Sequence, residues 1–271
     1  MKKISIVAVI MYFMLMAGLT NVAFAEEGQQ VGKDLYLILG YKAWLNEWQS
    51  GTTVYIPQAG ANIQSFTSSA VAASIPSVTL IMFKDFFISS GYMVSPTYTF
   101  KSYSDTIKIS STPYTANYDY SATRTELDAN VGYYVVPSRL GLTIGYKEVK
   151  QNYHLKQYGT GLVTSESDGT TTISGITFGI VGNSNITGNL NMYGNLSYSP
   201  MKAKYSGGGE DDNAVYVSSE LGFGYRAGSN FTLSLGYKYQ AIDTINNESG
   251  YGGQIGPDVT KGFIFGVNYI F

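Results

Sequence analysis

The chain has 271 residues, and only 13% of them are charged, against about 25% in an ordinary globular protein. Its 17 basic and 19 acidic residues leave no basic surplus, so we expect no nucleic-acid partner. It has no cysteine and one histidine, which excludes a disulfide framework and a cysteine-based zinc site, and we expect no cofactor.

The first residues have the layout of a secretory signal peptide. A basic pair precedes an apolar run over 4–16, and Ala23 and Ala25 form a cleavage site of the A-x-A type. A membrane anchor is the alternative, but the apolar run is short for a spanning helix. We therefore expect 1–25 to be a signal peptide and 26–271 to be one exported domain.

The exported part shows no apolar run of the roughly 18 residues that a spanning helix needs. It is rich in tyrosine and glycine; the whole chain has 24 and 31 of these. Such a chain favours a closed antiparallel transmembrane β-barrel, in which neighbouring strands satisfy every backbone polar group. A soluble β-sandwich also has alternating strands, so the residues on the two faces must decide between them.

Strict alternation of apolar and polar residues predicts eight strands. They are 34–49, 119–135, 138–156, 170–182, 186–203, 213–228, 230–244 and 258–271. The region 50–118 is less regular. There, 77–90 reads as a strand, and an even strand count requires 62–75 as its partner, with a turn at Pro76-Ser77. We therefore predict about ten strands, and eight strands with 50–118 as an external loop are the alternative.

The composition of the two faces favours a barrel that is apolar outside. In "FTLSLGYKYQA" one face carries Phe231, Leu233, Leu235, Tyr237 and Tyr239. The other face is small and polar, as a narrow lumen requires, and tyrosines near strand ends suit an aromatic girdle. Tight turns predicted at Pro137-Ser138, 183–185 and 228–230 alternate with longer connections. This is the pattern of short periplasmic turns and long external loops.

The final strand, "VTKGFIFGVNYIF", resembles the carboxy-terminal recognition strand of bacterial outer-membrane β-barrel proteins. Its apolar face includes Phe265 and Tyr269, and the sequence ends on Phe271. The resemblance covers the signal peptide, the strand–turn rhythm and this strand, and it points to no single family. It implies a Gram-negative outer-membrane location, contact with membrane lipid and lipopolysaccharide, and a barrel-assembly machinery that reads this strand.

Extended alternation predicts a set of charged side chains inside the lumen. They are Lys42, Asp85, Arg124, Glu126, Asp128, Arg139, Lys147, Glu220, Arg226 and Lys238. Because an unpaired buried charge is costly, we expect these charges to pair. Barrels of about eight strands are filled by side chains, so we expect a plugged lumen; a narrow conduit for a small solute is the alternative.

Candidates for chemistry are few. His154, in "QNYHLKQY", has no Asp or Ser beside it, and alternation places it on the lipid-facing side. Outer-membrane proteases of the omptin family need aspartates and a histidine at the external rim. Glu210, Asp211 and Asp212 are a candidate cation site, although such runs are more often solvated loops. The sequence therefore predicts a non-enzymatic barrel, structural or interacting through its external loops with an unknown ligand. A narrow channel is the second hypothesis and a rim hydrolase using His154 the third.

Overall fold

The computed structural model describes residues 35–56, 60–83, 85–100, 103–109, 112–159, 164–206, 211–245 and 257–271. The predicted signal peptide and its cleavage site lie outside these ranges. The described strands are β1 (Leu35–Ile56), β2 (Gly60–Thr67), β3 (Val71–Met82), β4 (Phe86–Val94), β5 (Tyr98–Thr99), β6 (Tyr103–Ile109), β7 (Thr112–Val136), β8 (Leu140–Gly159), β9 (Ser165–Asn185), β10 (Leu190–Tyr205), β11 (Asp212–Arg226), β12 (Phe231–Ile245) and β13 (Asp258–Ile270). These ranges contain no helix with the length and apolarity to cross a membrane.

Ten of these strands close into one antiparallel barrel. Their order around the ring is β1, β3, β4, β7, β8, β9, β10, β11, β12 and β13, and pairing of β13 with β1 closes it. The other three strands extend the external end, where β2 pairs with β1, and β5 and β6 pair with β7. The predicted ten-stranded closed barrel is confirmed, and the eight-stranded alternative is wrong.

The predicted bounds of the second and third barrel strands are wrong. These strands are β3, which ends at Met82, and β4, which begins at Phe86, whereas Pro76-Ser77 lies inside β3. The β3–β4 pairing is interrupted at Ile75 and Pro76, where proline has no N–H to donate. Most of the other predicted strand, 62–75, is divided between β2, outside the ring, and the start of β3.

Short turns join the strands at the periplasmic end. They lie between Met82 and Phe86 and over 137–139, 186–189 and 227–230, so the third lies just past the predicted 183–185. Phe83 and Ser138 adopt left-handed backbone, with φ of 53° and 57°, which helps the chain to reverse in few residues. The longer connections all lie at the opposite, external end, as predicted.

The outer face of the periplasmic part is an apolar band. Its side chains include Leu233, Leu235, Phe263 and Phe265, all of them exposed. Exposed tyrosines mark the external margin of this band: Tyr41, Tyr92, Tyr146, Tyr198 and Tyr239. An apolar band with such an aromatic margin is the lipid-contacting surface of a transmembrane barrel.

Beyond the external girdle the two faces of the strands exchange their composition: apolar side chains lie inside and polar ones outside. In β8, Leu142 and Ile144 face outward, but farther along the strand Val149 is buried inside and Lys150 is exposed. A strand needs only about 10 residues to cross a bilayer, and β8 has 20. The residues in excess lie in water, so the outer wall is polar there and the inner side carries clusters of buried apolar side chains. The expectation of a polar lumen is therefore wrong for the external half.

Candidate functional site

An ion-pair network crosses the lumen near the external girdle. Glu126 lies 2.7 Å from both Arg124 and Lys147, and the three side chains are 3%, 1% and 1% exposed. Lys147 also pairs with Asp128. Gln240 accepts a hydrogen bond from Arg124 and donates one to Glu126, both of 3.1 Å. Because β7 and β12 are five strands apart in a ring of ten, these bonds join opposite walls.

Further polar bonds close the same level of the barrel. Arg124 also donates to the Thr260 hydroxyl (2.8 Å), and Gln151 on β8 donates to Asp258 on β13 (3.1 Å). Lys42 and Glu220 form a separate 2.7 Å ion pair between β1 and β11. The charges that alternation placed inside therefore form bonds across the lumen rather than lining an open path.

An aromatic cluster fills the lumen on the external side of this network. Its members are Trp48, Phe66, Tyr98, Phe100, Tyr118, Tyr120 and Ala122. Trp48 contacts Tyr98 edge-on at a centroid distance of 5.1 Å, and Tyr98 donates a 2.7 Å hydrogen bond to Asn46. Burial is the main cause that raises the pKa of Tyr98 to about 12, so its phenol keeps the proton that it donates.

A second apolar cluster covers the inner wall of β8 to β12. It contains Val149, Ile173, Met201, Ala203, Ala214, Tyr216 and Ile242. Together with the aromatic cluster it leaves the external half of the barrel filled by packed side chains.

The structure places the ten predicted lumen charges in two groups. Seven face inward within the barrel: Lys42, Arg124, Glu126, Asp128, Lys147, Glu220 and Lys238. Lys238 lies 4.8 Å from the centre of the Trp44 ring. The other three lie at the periplasmic end. Asp85 and Arg139 are in turns, where strand alternation does not apply; one Asp85 carboxylate oxygen is buried, whereas Arg139 is exposed, as is Arg226 at the end of β11.

A different set of polar side chains lies on the outer wall, above the external girdle. His154 on β8 is the register partner of Ser121 on β7 and of Asp168 on β9. The His154 Nδ1 and Asp168 Oδ1 atoms are 2.8 Å apart. Sequence reasoning found neither partner because both lie far from His154 along the chain. Only the strand register, which was not predicted, could have revealed them.

The next set of residues in register across β7, β8 and β9 is also polar; it forms a row of Thr123, Asn152 and Thr170 beside the row of Ser121, His154 and Asp168. The Asn152 amide donates to Thr123 (3.4 Å), and Thr170 donates to the Asn152 oxygen (2.9 Å). The two rows line a groove of about 480 Å³, which Thr97 and Ser206 also border. We call this the outer-wall groove. Its polar groups are hydroxyls and amides together with His154 and Asp168, and they are set in a lining whose larger part is apolar.

The candidate cation site is only partly described, because Glu210 lies outside the described residues. Asp211 is 3.5 Å from Lys204, and Asp212 is a buried residue, so the two neighbours point to opposite sides of the chain. In the described part of the chain, no three His, Asp or Glu side chains are close enough to hold a metal ion.

Comparison with known proteins identifies the fold but no family. No protein-family model and no curated protein matches the chain. The outer membrane protease OmpT from Escherichia coli is 14% identical with a TM-score of 0.59, over 91% of this chain and 99% of that one.

Two other solved structures are less similar. The β domain of the Bordetella autotransporter BrkA is 12% identical (TM-score 0.44; 88% of this chain, 100% of that one). Ail, the attachment invasion locus protein of Yersinia pestis, is 8% identical (TM-score 0.35; 89% and 100%). This chain has the fold of Gram-negative outer-membrane β-barrels, which supports an outer-membrane location.

Proposed function

We propose that this protein is a surface barrel that conducts no solute and acts by binding molecules through its external part. One observation carries the proposal: Gln240 bonds to Arg124 and Glu126 on the opposite wall. A conduit at this level needs a water-filled path, and bonded side chains occupy it. The aromatic cluster adds a second barrier on the external side.

The external extension is the surface that such a barrel offers. Above the girdle the outer wall carries exposed polar side chains, and β2 and β6 add hairpin arms at the rim. Polar, exposed positions on a rigid sheet suit contact with a partner outside the cell. That this role is non-enzymatic stays a prediction.

The membrane partners follow from the same outer wall. Three lysines, Lys150, Lys202 and Lys204, are exposed above the girdle, and Lys150 and Lys204 flank Thr172 in register. Cations at this height suit the anionic groups of lipopolysaccharide. The exposed aromatic face of β13, with Phe265, Tyr269 and Phe271, suits recognition by the barrel-assembly machinery after signal cleavage.

Single-channel recording tests the proposal directly. We expect the refolded barrel to give no conductance steps in a planar bilayer across salts and voltages, because the ion-pair network and aromatic cluster block the lumen. Heat-modifiable mobility of the recovered protein verifies that folded barrels were present, and a conducting porin in the same membrane verifies detection. Stable steps that scale with salt would favour the channel hypothesis instead.

A further inference from the structure

We infer that the outer-wall groove is an acyl-transfer site in which Ser121 is the nucleophile, His154 the general base and Asp168 the residue that positions His154. This goes beyond the proposed function, because a barrel can bind partners without reacting with them. It also departs from the prediction of a non-enzymatic role.

The His154–Asp168 contact sets the chemistry of the imidazole. The carboxylate is bound at Nδ1, at 2.8 Å, so it favours the tautomer with the proton on that nitrogen. The lone pair is then on Nε2, which is the nitrogen that can accept a proton. A carboxylate that orients a histidine in this way is the usual partner of a histidine base.

Ser121 lies on the side of His154 opposite to Asp168. The register order across β7, β8 and β9 is Ser121, His154, Asp168. Side chains directly opposed on one face of a sheet have Cβ atoms about 4.5–5.5 Å apart. Rotation of Ser121 about χ1 can therefore bring its hydroxyl to Nε2. The described contacts include no hydrogen bond of this hydroxyl, and catalytic bonds in free enzymes are often long until substrate binds.

The adjacent row supplies a donor for the developing oxyanion. The Asn152 amide points toward β7, where its 3.4 Å bond to Thr123 is long and easily exchanged. The second amide bond, accepted from Thr170 at 2.9 Å, holds Asn152 in that orientation. Since Thr123 and Ser121 are two residues apart on the same face of β7, we expect this amide to exchange Thr123 for the oxygen of a carbonyl attacked by Ser121. One side-chain amide donor of this kind contributes about 10²–10³-fold to an acyl-transfer rate.

The reaction balances without a cofactor. The Ser121 Oγ bonds to the carbonyl carbon of an ester while its proton moves to His154 Nε2. The carbon–oxygen bond to the leaving alcohol then breaks, and that alcohol takes the proton from His154. Water, deprotonated by His154, attacks the acyl-serine, releases the carboxylic acid and restores the Ser121 hydroxyl.

The position of the groove limits the substrate class. His154 is eight residues beyond Tyr146 of the girdle, or about 20 Å along the barrel axis for a tilted strand. The groove is therefore in water and not in hydrocarbon, and its hydroxyl and amide groups can bind the polar part of a ligand while its apolar surface contacts a short acyl chain. We infer that its substrates are short acyl esters of hydroxyl-rich molecules outside the membrane.

A fluorophosphonate probe tests the site without knowledge of the natural substrate, because it reacts covalently with an activated serine. We expect one adduct, mapped by mass spectrometry to the peptide that holds Ser121, on the folded barrel in detergent. Ser121→Ala should abolish it, and His154→Ala should slow labelling by about 10²–10⁴-fold, the range for a general base. Hydrolysis of p-nitrophenyl acetate should fall in parallel.

Matched variants separate this role from a structural one. Ser174→Ala changes a half-buried serine on the same outer wall and should leave labelling unchanged. Asp168→Asn should lower the rate of labelling, and Asp168→Glu should keep part of the rate that Asp168→Asn loses. A purely structural residue would show no such rescue. Each variant must keep the heat-modifiable mobility of the folded barrel. No adduct at Ser121, or equal labelling of Ser121→Ala, would overturn the inference and leave the proposed surface role intact.

Discussion

Replacement of Glu126 by alanine is expected to lower the free energy of unfolding by about 3–5 kcal/mol, the range for breaking a buried ion pair. Glu126 is the only described carboxylate within 2.7 Å of both Arg124 and Lys147. Without it, Arg124 keeps only its neutral partners Thr260 and Gln240, and Lys147 keeps Asp128. Two buried cations then lie together with one carboxylate.

Urea-induced unfolding in lipid vesicles, followed by gel mobility without heating, measures this loss. The matched control is Glu148→Ala, which removes a partly exposed glutamate from the outer side of the barrel. We expect the control to change stability by about 0.5 kcal/mol or less, the usual range for surface positions. Equal effects of the two variants would mean that the network does not hold the barrel together.

Introduction of arginine at Leu235 is expected to lower the free energy of unfolding by about 2–4 kcal/mol, the cost of a cation facing lipid near the bilayer midplane. Leu235 is 49% exposed and lies midway between Phe231 and Tyr239 on the outer face of β12. Its register partners Phe223 and Phe265 are also exposed, so the new charge has hydrocarbon around it.

The control for this variant is Asp243→Arg, on the same strand and the same face but beyond the girdle. There the side chain stands in water, and we expect stability to change by about 0.5 kcal/mol or less. The same unfolding measurement applies to both. A Leu235→Arg barrel as stable as its control would show that this band does not face hydrocarbon.

The barrel itself was predictable because strand alternation is local. The run from Phe231 to Tyr239 shows its two faces directly, and β12 is found there. The error at Pro76 has an equally local cause: proline is common in turns, but here an interruption in the pairing with β4 accommodates it. Whether a proline ends a strand or only interrupts one of its pairings depends on the adjacent strands. The local sequence pattern does not identify those strands.

The filled external lumen was missed although the sequence carries a signal for it. In β10, Leu196 and Tyr198 are outward, whereas Met201 and Ala203 are inward and Lys202 is outward. The apolar residues thus change from even to odd positions within one strand. In a strand that only spans the membrane, the apolar residues stay at either the odd or the even positions throughout. The change from even to odd therefore marks the point where the strand leaves the lipid.

The outer-wall groove could not be predicted by the same means. Alternation places His154 and Ser121 on one face of their strands but does not say which residues are opposite each other. That depends on the register, which the turn at 137–139 and the strand lengths set together. A shift of two residues would keep every face and separate Ser121 from His154.

The most direct test of the barrel's placement uses cysteine, which the chain lacks. Single-cysteine variants at Ser167 (external end), Leu235 (apolar band) and Gly228 (periplasmic turn) are treated on intact cells with a maleimide coupled to a large polyethylene glycol. We predict labelling of Ser167→Cys on intact cells, of Gly228→Cys only after the outer membrane is permeabilised, and of Leu235→Cys in neither case. Labelling of Gly228→Cys on intact cells with Ser167→Cys protected would contradict an external groove, and labelling of Leu235→Cys would contradict a lipid-facing band.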